Sequence, residues 1–370
     1  MLLKNIPFFQ KQLTGWYRKN ARDLPWRRTS DPYKIWISEI MLQQTQVQTV
    51  IPYYERWLKR FPDIRTLAKS TEPEVMKYWA GLGYYRRARM IHAAAKWLVE
   101  KKAGKFPRTA QELLELPGIG RYTAGAIASI AFGEKTPVLD GNVIRILTRL
   151  AAVKEDTGKP KTIEKLWELA GKLMPVKEAG DFNQAMMELG ATVCTPQNPS
   201  CLLCPVTGLC QGRKGNPENF PVKKMKEKIE KIKTAALVLR NNGKIFVGRQ
   251  TAKERWGGLW VFPFGKDLRS ILEKFRIPEI DLKHKLTIRH GFTKYQVSLE
   301  VYEYTFLSLR GAPKGRRSNL LACEIASLPP VARNDRDAIT QWVPVQKLSA
   351  LAFPSPHQKI VTEILRDHAS

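Results

Sequence analysis

Along residues 1 to about 212, apolar positions recur at three- and four-residue spacing, as in Val75 to Leu98 and Thr162 to Leu173, with Pro and Gly as punctuation. That period predicts amphipathic helices packed on one another. No extended two-residue alternation interrupts it. From Gly212 to Lys233 the chain turns polar and basic, with a lower hydrophobic load than either neighbour, and reads as a linker. Beyond it the period shortens. Ala235 to Arg240 and Lys244 to Gly248 flank the turn signal Asn241-Asn242-Gly243, and Val297, Leu299 and Val301 alternate within Gln296 to Phe306. These predict strands and a hairpin. The expected architecture is multi-domain: an all-α domain over 1–212, a basic interdomain linker over 213–233, and an α+β domain over 234–370. No internal repeat or low-complexity tract stands out.

Composition adds a partner to this picture. The chain has 370 residues, with 62 Lys and Arg against 34 Asp and Glu, a net charge of +28. Such an excess points to a polyanion, and nucleic acid fits best, because basic side chains neutralise phosphates and release condensed counterions. No apolar run approaches the ~18 residues of a membrane span, and no signal or transit segment is evident. A soluble protein of the cytoplasm, with no membrane partner, is expected.

The five cysteines are unevenly placed. Cys194, Cys201, Cys204 and Cys210 are spaced C-x6-C-x2-C-x5-C in a loop rich in Pro and Gly, while Cys323 stands alone and reads as an ordinary thiol. Four converging thiolates suit either a [4Fe-4S] cluster or a structural zinc. Zinc sites usually come as two short C-x2-4-C pairs, and here a single short pair is flanked by lone cysteines, which favours iron and sulfur. Disulfides fit poorly without a secretory context.

Leu116-Pro117-Gly118-Ile119-Gly120 lies between two helical stretches. Its glycines permit the tight turn and close backbone approach with which a helix-hairpin-helix offers amide N–H groups to a DNA phosphate. Two carboxylates carry candidate chemistry. Glu39 is embedded between Ile35-Trp36-Ile37 and Ile40-Met41-Leu42, where desolvation would raise its pKa and keep a proton for general-acid work near neutrality. Asp140 precedes the helical stretch Gly141 to Leu150, so it reads as an N-cap held anionic by the helix terminus, suited either to stabilise an oxocarbenium-like sugar or to attack C1′.

The hairpin at Leu116 to Gly120, the acid in Val138-Leu139-Asp140-Gly141-Asn142-Val143 and the four-cysteine loop together resemble the endonuclease III superfamily of DNA glycosylases. Ser38 to Val47, Gly81-Leu82-Gly83-Tyr84-Tyr85 and Phe182-Asn183-Gln184-Ala185 are similar to the adenine DNA glycosylase family within it. The likeness extends over essentially the whole chain and implies a helix-hairpin-helix glycosylase domain with a [4Fe-4S] loop, followed by a Nudix-like lesion-recognition domain. It also implies excision of adenine opposite 8-oxoguanine or guanine in duplex DNA by a monomer at the bacterial nucleoid.

The resemblance assigns roles. Glu39 would protonate N7 of adenine, Asp140 would lie near it, and Tyr122 and Asn142 would support the two carboxylates. Strand-cleaving relatives carry a lysine where this chain has Tyr122, so no Schiff base is offered and an abasic site is the expected product. Gln43, Gln44, Thr45 and Tyr84 match positions that enter the base stack or contact DNA when a base is flipped out. Gln184 matches an adenine-contacting amide, and Arg22, Leu24 and Trp26 match other pocket positions. In the C-terminal domain, Trp256-Gly257-Gly258-Leu259-Trp260-Val261-Phe262-Pro263 resembles the family, but a clustered acidic Nudix box is lacking, so no metal site for pyrophosphate hydrolysis is expected. The lesion-reading loop, usually H-x-F-S-H, reads His290-Gly291-Phe292-Thr293-Lys294, with Lys294 in place of the second histidine. Two rivals remain at this stage: a thymine-mismatch glycosylase of the same superfamily, and a non-catalytic iron–sulfur protein that binds DNA or transfers electrons.

Overall fold

The structure, a computed structural model, describes residues 5–223, 229–251, 254, 256–275, 282–292, 294–306 and 339–369. The chain divides into two compact units. One comprises Met1–Lys69 and Met90–Lys226, the other Ser70–Arg89 and Glu227–Ser370.

The first unit is helical, as the period predicts. In α1 (Ile6–Asn20) the stripe Phe9, Leu13 and Tyr17 is buried, and Phe9 meets Phe182 edge-on. Next comes α2 (Pro32–Leu42), started by Asp31, whose carboxylate accepts the Tyr33 N–H, with Pro32 in the first turn. Such starts are favourable because the cap satisfies an orphan donor and proline preset to φ near −65° loses none. Its residues 35 to 41 are all buried, the signature of a helix enclosed on every side. Then follow α3 (Val47–Arg60) and α4 (Ile64–Lys69). The fully buried Trp36 and Trp57 anchor this region. Each such ring removes about 150–250 Å² from water, a gross gain of about 4–6 kcal/mol before ordering costs.

The stretch Val75 to Leu98, expected to be helical, is two helices, α5 (Glu72–Trp79) and α6 (Arg86–Lys102). Between them Gly81, Gly83 and Tyr84 all take positive φ (103°, 72° and 47°), which no helix tolerates. A short α7 (Ala110–Leu113) and α8 (Arg121–Phe132) flank the hairpin. After α8 come α9 (Gly141–Ala151), α10 (Pro160–Leu173) and α11 (Ala179–Thr192). α11 buries Phe182, Ala185, Met186 and Leu189 in the same core as Val143, Ile146 and Leu147 of α9. The carbonyls of Pro217 and Phe220 accept from Arg149, and that of Val222 accepts from Thr157, so the start of the polar stretch is tied to this unit.

The second unit contains a seven-stranded sheet of β1 (Glu230–Asn241), β2 (Lys244–Arg249), β3 (Trp260–Val261), β4 (Phe264–Gly265), β5 (Lys283–Phe292), β6 (Tyr295–Phe306) and β7 (Ile339–Pro344). β1 lies parallel to β6 and antiparallel to β2, and β5 pairs antiparallel with β6. The predicted hairpin forms at Asn242 and Gly243, both left-handed (φ 46° and 70°), as a two-residue turn with the strands' twist requires. The unbroken apolar run Ala235 to Leu239 follows from burial on both faces. Ala236 and Val238 face Ile360, Val361 and Ile364 of α13 (Ser355–Ala369), while Ala235, Leu237 and Leu239 face Ile271, Leu272 and Phe275 of α12 (Leu268–Phe275).

Candidate active site

Glu39 sits on α2 and is 5% exposed. Burial pushes its pKa up to about 7; the Tyr122 hydrogen bond and the Arg27 charge oppose the rise, and the nearby Asp140 charge adds to it. Tyr122 Oη donates to Glu39 Oε2 at 2.6 Å and lies 3.2 Å from Met187 Sδ. Burial, with the charges of Glu39 and Asp140, holds the phenol well above its ordinary pKa, so it remains a donor. Tyr122 stands in the first turn of α8. The hairpin that starts this helix therefore also aims the phenol.

Asp140 caps α9 as expected. Its Oδ1 accepts the Val143 N–H at 2.8 Å and its Oδ2 accepts the Asn142 amide at 2.8 Å. Burial raises its pKa, and the bonds from Val143 and Asn142 only moderate that rise. Asn142 is itself braced: Arg145 Nη2 donates to its Oδ1 at 2.8 Å and to Gly190 O at 2.7 Å, while Arg145 Nε donates to Cys194 O at 2.8 Å. α11 approaches so closely that a Cβ on Gly190 would lie 2.5 Å from Asn142 Cβ. The structure thus brings Glu39, Tyr122, Asp140 and Asn142 into one electrostatically coupled group.

Among the other expected residues, Leu24 and Trp26 are buried, with Trp26 edge-on to Tyr54. Arg22 is committed to an internal partner: its Nε and Nη2 donate to Glu188 at 2.8 and 2.7 Å, and Arg27 Nη2 donates to the same carboxylate at 2.7 Å. The Glu188 side chain is fully buried; burial alone would raise its pKa, but the two guanidiniums outweigh that and hold it at about 2. Arg27, Arg145, Met187 and Glu188 are absent from the sequence-derived site. Glu188 lies one helical turn beyond Gln184, which is half-buried, and that i, i+4 relation was the available signal. Gln43 Nε2 donates to Thr123 Oγ1 at 3.3 Å, Gln44 holds φ 59°, and Thr45 Oγ1 donates to Gln43 O.

In the hairpin, Leu116 is buried and Gly118 takes φ +78° with Met90 packed against it, where a Cβ would come within 2.5 Å of Met90 Cβ. Gly120 is the N-cap of α8 and contributes no side-chain cap, which leaves the first amide N–H groups of α8 for an external anion.

The cysteine loop wraps Arg149, which is 2% exposed. Its Nη1 donates to Cys194 Sγ at 3.3 Å and to Thr195 O at 2.7 Å, and its Nη2 to Pro196 O at 2.9 Å. The four thiols sense one another electrostatically, and burial raises Cys204 to about 11 and Cys210 in the same direction. Four soft, half-buried sulfurs gathered in one loop suit metal coordination, which removes their protons outright. Among the described residues no three Cys, His, Asp or Glu are arranged around a single metal ion; a cubane is held by four thiolates spread over the cluster.

In the second unit Tyr84 is 47% exposed, beside Arg87. Of the lesion-loop residues, His290, Gly291 and Phe292 end β5, where Phe292 pairs with Tyr295. Thr293 lies outside the described residues. Lys294 Nζ pairs with Glu230 Oε1 at 2.7 Å, which raises the Lys294 pKa. Among the described residues no helix is long and apolar enough to cross a membrane.

Comparison with known proteins places this geometry. The model of the HhH-GPD superfamily base excision DNA repair proteins matches residues 37–172, which include α2, the hairpin and the Asp140 turn. That of the iron-sulfur binding domain of endonuclease III matches residues 194–210, and a NUDIX domain model matches residues 234–363. The class is a base-excision DNA glycosylase carrying a [4Fe-4S] cluster, which Cys194, Cys201, Cys204 and Cys210 fit. A thermostable thymine-DNA glycosylase shares the fold with a TM-score of 0.53 and 30% identity, over 57% of this chain and 97% of that one. The human adenine DNA glycosylase is 37% identical over 96% of this chain and 73% of its own length, and that of Buchnera aphidicola (subsp. Schizaphis graminum) is 41% identical over 80% and 86%. The chain belongs to the adenine DNA glycosylase family.

Proposed function

We propose that this enzyme, an adenine-specific DNA N-glycosylase, acts as a monomer on adenine opposite 8-oxoguanine or guanine in duplex DNA and leaves an abasic site. The observation that carries the reading is the pairing of a buried Glu39, proton affinity near neutrality, with a capped Asp140. Glu39 delivers its proton to adenine N7, the C1′–N9 bond breaks with its electron pair passing to the base, and the anion of Asp140 stabilises the cationic sugar. Water then adds at C1′ and gives up a proton to a carboxylate. Tyr122 keeps Glu39 oriented, and Asn142 does the same for Asp140. Tyr122 provides no amine, so the strand stays intact. The cluster, when bound, cross-links the Cys194–Cys210 loop through iron–sulfur bonds. The hairpin amides at Gly118 to Gly120 take a phosphate, and Gln43, Gln44, Thr45 and Tyr84 support the opened stack. In the second unit, the Phe292-Thr293-Lys294 segment reads the base opposite adenine.

An Asp140→Asn variant tests the division of labour. It is expected to bind a duplex carrying adenine opposite 8-oxoguanine while single-turnover base release falls by at least ~10²-fold. Release at a near-normal rate would remove Asp140 from the mechanism.

A further inference from the structure

The Trp256-Gly257-Gly258-Leu259-Trp260 run has no part in the chemistry above, and the second unit shows what it touches. Arg89 Nη2 donates to the Gly257 carbonyl at 2.7 Å, and Arg89 Nε stands 3.6 Å from Glu72 Oε1. Gly258, with φ +79°, approaches the same Glu72 carboxylate; a Cβ there would lie 3.6 Å from Oε1. Glu72 and Arg89 bracket the segment that carries the Gly81–Tyr84 loop. A second grip comes from α13, whose first residue, Ser355, donates through Oγ to the Gly81 carbonyl at 3.2 Å. The two grips are parts of one body. His357, fully buried two residues beyond Ser355, accepts the Phe262 N–H at 3.1 Å and packs edge-on against Trp256 at 5.1 Å.

The loop so held is conformationally costly. Tyr84 keeps a left-handed backbone, a strained state for a non-glycine residue that persists only where neighbours enforce it. Those neighbours are visible. Trp79 Nε1 and Arg87 Nη2 both donate to the Gly83 carbonyl, at 3.0 and 3.3 Å, and the Arg87 guanidinium lies over the Trp79 and Tyr84 rings at 5.2 and 5.4 Å. The outcome is an aromatic ring presented to solvent on a fixed stem.

We propose that the Trp256–Trp260 turn and Ser355 clasp the Gly81–Tyr84 loop, so that Tyr84 belongs mechanically to the unit that reads the base opposite adenine, with Ser355 and Arg89 as positioning residues for base-pair discrimination. The proposal rests on the reading of Tyr84 as a residue that enters the stack. It gives the tryptophan–glycine turn a task that sequence alone did not suggest, and it makes lesion preference depend on the residues that hold Tyr84 as well as on Tyr84 itself.

The test compares single-turnover excision of adenine opposite 8-oxoguanine and opposite guanine for Ser355→Ala, Ser355→Thr, Arg89→Gln, Arg89→Lys and Tyr84→Ala. Melting curves and cluster absorbance confirm that each variant is folded. Ser355→Ala and Arg89→Gln should each lower the preference for 8-oxoguanine about three- to tenfold, the scale of one lost hydrogen bond. Ser355→Thr and Arg89→Lys, which keep a donor, should recover most of it. Either loss should vanish in a Tyr84→Ala background, because the clasp acts through that ring. If Tyr84→Ala keeps the full preference, the stack-entry reading fails and the clasp with it. If Tyr84→Ala loses preference while Ser355→Ala and Arg89→Gln retain it, or if their losses add in full to that of Tyr84→Ala, the clasp is overturned and the reading of Tyr84 stands. Should Arg89→Gln not fold, the Ser355 pair decides alone.

Discussion

Replacing Glu39 by Gln should slow excision steeply and, above neutral pH, make the protein more stable. Glu39 carries a carboxyl whose ordinary value of 4.5 is raised by burial to about 7. An acid with a raised folded pKa binds more protons folded than unfolded between those two values, so stability falls as pH climbs from about 4.5 to about 7 and stays reduced above. At about 1.4 kcal/mol for each tenfold in proton affinity, the burden reaches about 3 kcal/mol. Glu39→Gln preserves the shape and an acceptor for the Tyr122 hydroxyl, and it removes the buried charge. Its melting temperature at pH 8 should therefore exceed that of the unaltered protein by several degrees, with the gap closing towards pH 4.5. Paired thermal melts across that range, each with single-turnover excision of adenine, provide the assay. Excision should fall by ~10²–10⁴-fold, as expected for loss of a general acid. Equal melting temperatures at pH 8, or a variant less stable there, would refute the claim that Glu39 is held desolvated; near-normal excision would refute its role as the acid.

Glu188 should behave in the opposite sense. Its depressed value of about 2 marks stability that is present above about 4.5 and lost as pH falls towards 2; Glu188→Ala, which strands two guanidiniums, should cost about 3–5 kcal/mol at pH 7 in denaturant titrations, and a cost under 1 kcal/mol would contradict the network described here. Borohydride should trap no covalent enzyme–DNA adduct with the unaltered chain, whereas Tyr122→Lys should gain one; abundant trapping without the substitution would reveal another amine. Metal analysis should find about four irons per chain with broad absorption near 400 nm, and stoichiometric zinc without iron would overturn the cluster assignment. Lys294→Ala should weaken binding to every duplex alike and flatten the salt dependence by about one counterion; no change would mean that Lys294 stays with Glu230 in the complex.

Local chemistry was legible in the sequence and distant pairing was not. Apolar residues on both sides of Glu39 announced its desolvation, because a helix enclosed on all sides must bury whatever it carries. Asp140 before a helical stretch announced a cap, and Asn241-Asn242-Gly243 a two-residue hairpin. The burial of Asp140 was not legible, since a cap position fixes its hydrogen bonds and only the packed structure reveals how far it is desolvated. Arg22 and Arg27 lie more than 160 positions from Glu188 along the chain, and no local pattern encodes such a meeting. The break at Gly81 to Tyr84 was partly visible in its glycines, but the left-handed Tyr84 follows from contacts with Trp79 and Arg87 rather than from its own propensity.

Specificity for adenine in the right mispair is read out by comparing four duplexes in a single experiment. The purified full chain, in excess, is incubated with otherwise identical duplexes carrying adenine opposite 8-oxoguanine, adenine opposite guanine, thymine opposite guanine and adenine opposite thymine, and alkali then converts abasic sites to breaks. Rapid breakage of the adenine strand opposite 8-oxoguanine is expected, with slower breakage opposite guanine, none in the adenine–thymine duplex, and intact strands throughout before alkali. Release of thymine opposite guanine with adenine untouched would contradict that specificity.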